Sequence, residues 1–224
     1  MSENERGWIT LQAEDGHQFR AYHAPAQGTE IGRIVLAPEI FGINHHIRAV
    51  CDGFAADGYR VIAPDLFERA EAAVELPYDK AGIERGIALK GHVATEAALL
   101  DLAAALAALG GDGAAAVVGY CWGGSLAWAA ASRLPLRAAV AYYGGDIGNH
   151  LDDAPRVPTL LHFGEQDHAI PLAVADGVQE RHPTAAVHLY PAGHGFNCDE
   201  RGSFHADSAT LARLRTLGLL RAVF

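Results

Sequence analysis

One cysteine, one aspartate and one histidine, in that order along the chain, have the types and positions to do chemistry. Cys121 sits in GYCWGG, residues 119–124, between an apolar run and an alanine-rich helical stretch. A nucleophile on so sharp a strand-to-helix turn takes a strained backbone and projects above the sheet. Its neighbours two residues away on either side come very close to the turn, which calls for glycine. The helix that follows at once turns its amides and the positive end of its dipole toward the thiol, favouring a thiolate and later an oxyanion. A blander reading fits a lone G-x-C-x-G as well: a small buried cysteine in a glycine-bearing turn.

Two further strand ends weigh against the bland reading. Asp167 follows the run TLLHFGE, and His194 follows AAVHLYPAG. Singly, each reads as a loop-capping aspartate and a histidine in a glycine turn. Together they give the order nucleophile, acid, histidine, the order that nucleophile-elbow enzymes of open α/β sheets use. In that reading His194 takes the proton of Cys121 and later returns it to a leaving group, while Asp167 orients the imidazole. Glu39 follows another apolar strand in APEIFGIN; a carboxylate beside a thiol would hold it protonated, and the alternative is a surface glutamate paired with an arginine. The amides of Ile40 and Trp122 are the expected oxyanion donors, one from the first strand-helix loop and one just after the nucleophile.

Something must carry these residues to one edge. Residues 8–24 alternate apolar and polar around Asp15-Gly16, a β-hairpin signal. Buried strands are expected at 33–39 and from 114 into the turn, strand then loop at 59–67, and strands ending in loops at 136–145, 157–167 and 185–195. Helices are expected at 44–58, capped by Asn44 and stopped at Gly58, at 92–109, from Trp122 on, at 171–181 and at 203–222. Residues 66–91 show the least regular pattern. Strands apolar on both faces and separated by helices imply a mostly parallel central sheet with helices on both faces and an antiparallel N-terminal edge. In such sheets ligands bind beyond the carboxyl ends of the strands. No linker divides the chain, so residues 1–224 read as a single domain.

Composition narrows the function classes. Half of the 224 residues are apolar and a fifth are charged, and the net charge is −10. That balance argues against nucleic acid or an anionic membrane as partner. The first ten residues show no apolar leader core. Three cysteines, Cys51, Cys121 and Cys198, are an odd count that makes a disulfide framework improbable and favours the reducing cytoplasm. Cys51 falls on the apolar stripe of a helix, His162 reads as an interior histidine, and the pair His45-His46 lacks the spacing of a zinc site. Leu211, Leu214, Leu217 and Leu220, in steps of three, suggest a last helix that covers the core. No exposed apolar stripe is evident, so a monomer is expected. No cofactor is implied: there is no phosphate-binding glycine loop, and the chemistry needs no metal.

The segments PEIFGIN, APDLF, GYCWGG, AYYGG, FGEQDHAIP and PAGHGFNCDER together resemble the dienelactone hydrolase family, the carboxymethylenebutenolidases of the α/β-hydrolase fold. The resemblance spans residues 35–201, and a cysteine nucleophile is its more specific part. It implies that Cys121, Asp167 and His194 form a triad, that Glu39 contacts the resting thiol, and that small esters or lactones are hydrolysed through a thioester. It also implies arginines that hold a substrate carboxylate, one of them four residues after the histidine, where this chain has Cys198. Arg201 and Arg85 are the remaining candidates, with Tyr143, Trp122 and Phe196 as pocket walls. A general carboxylesterase or thioesterase, or a ligand-binding protein that has lost turnover, would share these features.

Overall fold

A computed structural model describes residues 5–224; part of the N-terminal stretch read for a leader lies outside the described residues. Two compact units divide the chain at Ala115 and Ala116.

The first unit opens with β1 (Gly7–Gln12) and β2 (Gln18–Ala24), the expected antiparallel hairpin, with Gly16 at φ +85 in its turn. After β3 (Gly32–Ala37), α1 (His45–Ala56) and β4 (Tyr59–Pro64), β2 pairs antiparallel with β4 and β3 pairs parallel with it. Asn44 caps α1 as expected: its side-chain oxygen accepts from the Ile47 amide at 3.1 Å. Cys51 is fully buried on that helix.

The stretch expected to be irregular holds a short 3₁₀ turn (Leu66–Arg69) and a full helix, α2 (Lys80–Lys90), capped by Asp79. The helix escapes pattern reading because its faces are inverted. Gly82 and Gly86 point inward, where a Cβ would collide with the carbonyl oxygens of Pro77 and Ile40. Ile83 and Ile87 face outward. Glycine is a poor helix former, so close backbone packing, not propensity, holds this element. The unit ends with α3 (Thr95–Ala108).

The second unit has β5 (Ala116–Tyr120), α4 (Trp122–Arg133), β6 (Ala139–Tyr142), β7 (Thr159–Gly164), α5 (Leu172–Arg181), β8 (Ala186–Tyr190) and α6 (Ala206–Val223). Its strands run parallel in the order β5-β6-β7-β8. All residues of β5, β6 and β7 are buried, as their unbroken apolar runs require. The last helix corrects one expectation: only Leu217 and Leu220 are buried, whereas Leu211 and Leu214 are exposed. Steps of three drift around a helix of 3.6 residues per turn, and the buried face is carried by Ser208, Ala209, Ala212, Thr216, Leu217 and Leu220.

Candidate active site

The second unit brings Cys121, Asp167 and His194 together at the carboxyl ends of β5, β7 and β8. Cys121 stands between β5 and α4 at φ 53 and ψ −113, a strained conformation for a residue with a side chain. Its amide donates to the Tyr142 carbonyl at the end of β6, 3.0 Å away. The glycines do what the turn requires: a Cβ on Gly119 would collide with the Gly123 carbonyl, and one on Gly124 with the Tyr142 carbonyl.

The Asp167 side chain is almost fully buried. One carboxylate oxygen accepts from the amides of Ala169 and Ile170 at 2.8 and 3.2 Å, and the other faces His194 Nδ1 at 2.8 Å. Held this way, the imidazole carries its Nδ1 proton toward the carboxylate and turns Nε2 to the Cys121 sulfur, 3.2 Å away. Burial works against the imidazolium, but the hydrogen bonds to Asp167 and Cys121 outweigh it and push His194 up to about 10. A histidine raised in the fold adds stability that is complete below its unfolded value, near 6.5, and is lost as pH rises through the folded value. Denaturant melts of the protein and of His194→Gln should therefore differ most at pH 6, and the gap should close toward pH 10. A gap constant from pH 6 to 10 would show that the coupling is absent.

The other sequence-predicted residues fall in different places. Trp122 opens α4, so its amide is the first of that helix. Tyr143 and Phe196 are both 0% exposed. The Tyr143 ring lies 5.2 Å from the His194 ring and 5.4 Å from that of Phe196, which packs on Tyr190 at 5.1 Å. Both rings are buried; Tyr143 packs on the His194 ring and Phe196 packs on Tyr143 and Tyr190. Sequence reasoning missed this because an aromatic at a strand end looks the same from either side.

Arg201 lines a cavity of about 640 Å³ together with His194, His168, Ser203 and His205. Its guanidinium covers Gly195, where a Cβ would collide with it. Cys198 is fully buried and does not line that cavity. All three cysteines are free.

In the first unit, Glu39 is buried after β3 and accepts a hydrogen bond from the Tyr78 hydroxyl at 3.0 Å. Ile40, at 9% exposure, packs its carbonyl against Gly86 of α2. Tyr78 went unnoticed in the sequence because it sits in the segment without a legible pattern. Arg85 is half-exposed on α2 and forms an ion pair with Glu71 at 2.6 Å. His162 is, as expected, an interior histidine, bonded to Tyr190 and Thr216. Among the described residues no single helix is long and apolar enough to cross a membrane.

The model of the dienelactone hydrolase family matches residues 19–224. A carboxymethylenebutenolidase of Pseudomonas putida is 34% identical over 223 residues, covering 95% of this chain and 94% of that one. Carboxymethylenebutenolidase 1 of Cupriavidus pinatubonensis is 30% identical and covers 95% of each chain. A solved structure from Klebsiella pneumoniae, named for the same family, is 29% identical, has a TM-score of 0.78 and covers 96% of this chain and 98% of that one. The fold is that of the α/β-hydrolases, a mixed sheet with helices on both sides.

Proposed function

The chain belongs to the dienelactone hydrolase family, and we propose that it hydrolyses small carboxylic esters or lactones, enol-lactones among them, with Cys121 as nucleophile. The observation that carries this reading is the unbroken line from Asp167 through His194 to the Cys121 sulfur on its strained turn. The thiolate attacks the substrate carbonyl carbon, and the amide of Trp122 meets the resulting oxyanion, with that of Ile40 as the second expected donor. Collapse of the tetrahedral adduct breaks the bond to the leaving oxygen, which takes its proton from the His194 imidazolium. The acyl group is then held as a thioester on Cys121. His194, now neutral, removes a proton from water; the hydroxide attacks the thioester, and the acid leaves as the thiolate re-forms. Asp167 keeps the imidazole in one tautomer and balances its charge throughout.

Three features are carried by the family resemblance: Glu39 as the group that restrains the thiol at rest, and Arg201 and Arg85 as candidate anchors for a substrate carboxylate. Arg201 has the better support, since it shares a cavity with His194. We further infer one domain over 1–224, a monomer, a small-molecule substrate and a reducing cytoplasmic setting suited to three free cysteines.

The test is intact-mass spectrometry after mixing with p-nitrophenyl acetate. An acetyl adduct of Cys121 that forms and then decays is the expected result. Neither adduct nor nitrophenol, here and with an enol-lactone, would leave a binding protein with the hydrolase fold. Relative rates on enol-lactones, aryl esters and acyl thioesters separate the lactonase from the carboxylesterase and thioesterase readings.

A further inference from the structure

Beneath the triad lies a polar chain that the proposed chemistry does not use. Arg215 on α6 donates to the Tyr190 hydroxyl at 3.0 Å. That hydroxyl lies 2.8 Å from His162 Nδ1, and His162 Nε2 lies 3.1 Å from the Thr216 hydroxyl. Thr216 meets the Tyr142 hydroxyl at 2.7 Å. The rings of Tyr120 and Tyr142 stack at 4.6 Å. Tyr120 is the residue before Cys121.

The chain has a direction. A guanidinium only donates, so at Tyr190 the oxygen accepts and its one hydrogen is directed to His162 Nδ1. The neutral imidazole must then donate from Nε2 to the Thr216 hydroxyl, which in turn meets the Tyr142 hydroxyl. Burial, followed by the charges of His188 and Arg215, pushes His162 well below the ordinary histidine value, so the ring stays neutral and the order holds. Reversing the His162 tautomer would leave the buried Tyr190 hydroxyl hydrogen without an acceptor among its bonds.

Both halves of the reacting pair rest on this ring's neighbours. The Tyr142 carbonyl accepts the Cys121 amide, and the His162 carbonyl accepts the Tyr143 amide. The Tyr190 ring packs on Phe196, two residues beyond His194. One histidine on β7 thus ties β6, β8 and α6 to the turn that holds the thiol. We propose that His162 is a positioning residue: through the chain Arg215–Tyr190–His162–Thr216–Tyr142 it fixes β6, whose Tyr142 carbonyl holds the Cys121 amide, and so sets the Cys121 turn against His194. This rests on the reading of Cys121 and His194 given above and adds the element that holds their separation.

Thr216→Val cuts the chain at nearly constant volume, Tyr190→Phe cuts it upstream, and Thr216→Ser restores the hydroxyl. The readouts are the pH dependence of iodoacetamide alkylation mapped to Cys121, and kcat and KM on p-nitrophenyl acetate. In Thr216→Val the half-maximal pH for alkylation should rise by about half a unit, as a weaker pair stabilises less thiolate. kcat should fall about tenfold with KM within about twofold, and Thr216→Ser should return both. A merely structural role would lower the melting temperature and leave the alkylation profile of the folded protein in place. A folded Thr216→Val variant whose profile superimposes on the parent overturns the inference. Should that variant not fold, Tyr190→Phe decides by the same readings. If the parent hydrolyses no ester, the functional reading fails separately, and the alkylation profile alone judges the positioning role.

Discussion

Cys121→Ala is expected to lower kcat/KM on ester substrates by at least about 10⁴-fold while leaving the fold and melting temperature nearly unchanged. Near 25 °C that is about 5.5 kcal/mol of transition-state stabilisation. The size follows from what remains. Without the sulfur, His194 still faces Asp167 at 2.8 Å and the first amides of α4 still point at the site, but no covalent intermediate can form. The fold survives for a local reason. Cys121 already holds a Cβ at φ 53, so alanine meets the same backbone strain and no more. Removing the thiol leaves the partly exposed His194 side chain still held by Asp167. Nitrophenol release and calorimetry on the same preparation check both halves. Full activity in the variant would remove Cys121 from the mechanism; lost activity with a collapsed melting temperature would make the cysteine structural.

The sequence made this prediction possible because the three proposed residues are marked by local signals. Each follows an apolar run with glycine close by: Cys121 two residues after Gly119, Asp167 three residues after Gly164, His194 between Gly193 and Gly195. Buried parallel strands must be apolar, and their carboxyl ends must be loops, so three strand ends were visible without any coordinates. What stayed hidden depends on contacts between distant residues. Helix α2 is held by Gly82 and Gly86 against the carbonyls of Pro77 and Ile40, and no periodicity marks such packing. Tyr143 and Phe196, read as pocket walls, are both fully buried, since a strand end fixes position and not the direction a ring takes. The run from Leu211 to Leu220 misled for the opposite reason: it is periodic, but its period is not that of the helix.

The same distinction bears on Arg201. Its guanidinium lies against Gly195, and it lines the cavity that His194 also lines. A residue so placed braces the histidine loop, so any part it plays toward a bound substrate must be separated from that role by substrate choice. A carboxylate-bearing ester and its neutral analogue differ only in the part played toward substrate.

Gly119→Ala should be the most damaging single methyl in the second unit. The backbone of Gly119 does not lie at positive φ, so alanine costs nothing in conformation; the cost is entirely steric. Its Cβ would enter the space of the Gly123 carbonyl and the Gly124 nitrogen. These are backbone atoms of the first turn of α4, so no rotamer change relieves the clash. Either α4 moves off β5 or the strand retreats, and each motion carries Cys121 with it. Overpacking of this kind costs about 3 kcal/mol or more. For a chain of this length that lowers the melting temperature by about 6–12 °C. A displacement of about 1 Å at the nucleophile costs about a hundredfold in kcat. Gly145→Ala is the matched control, since a Cβ there meets nothing within 4 Å and its φ is not positive; it should melt within about 1 °C of the parent. Equal melting temperatures and equal rates for the two variants would mean that the turn tolerates a wider opening than its geometry implies, and that the glycine before the nucleophile is not what holds the thiol in place.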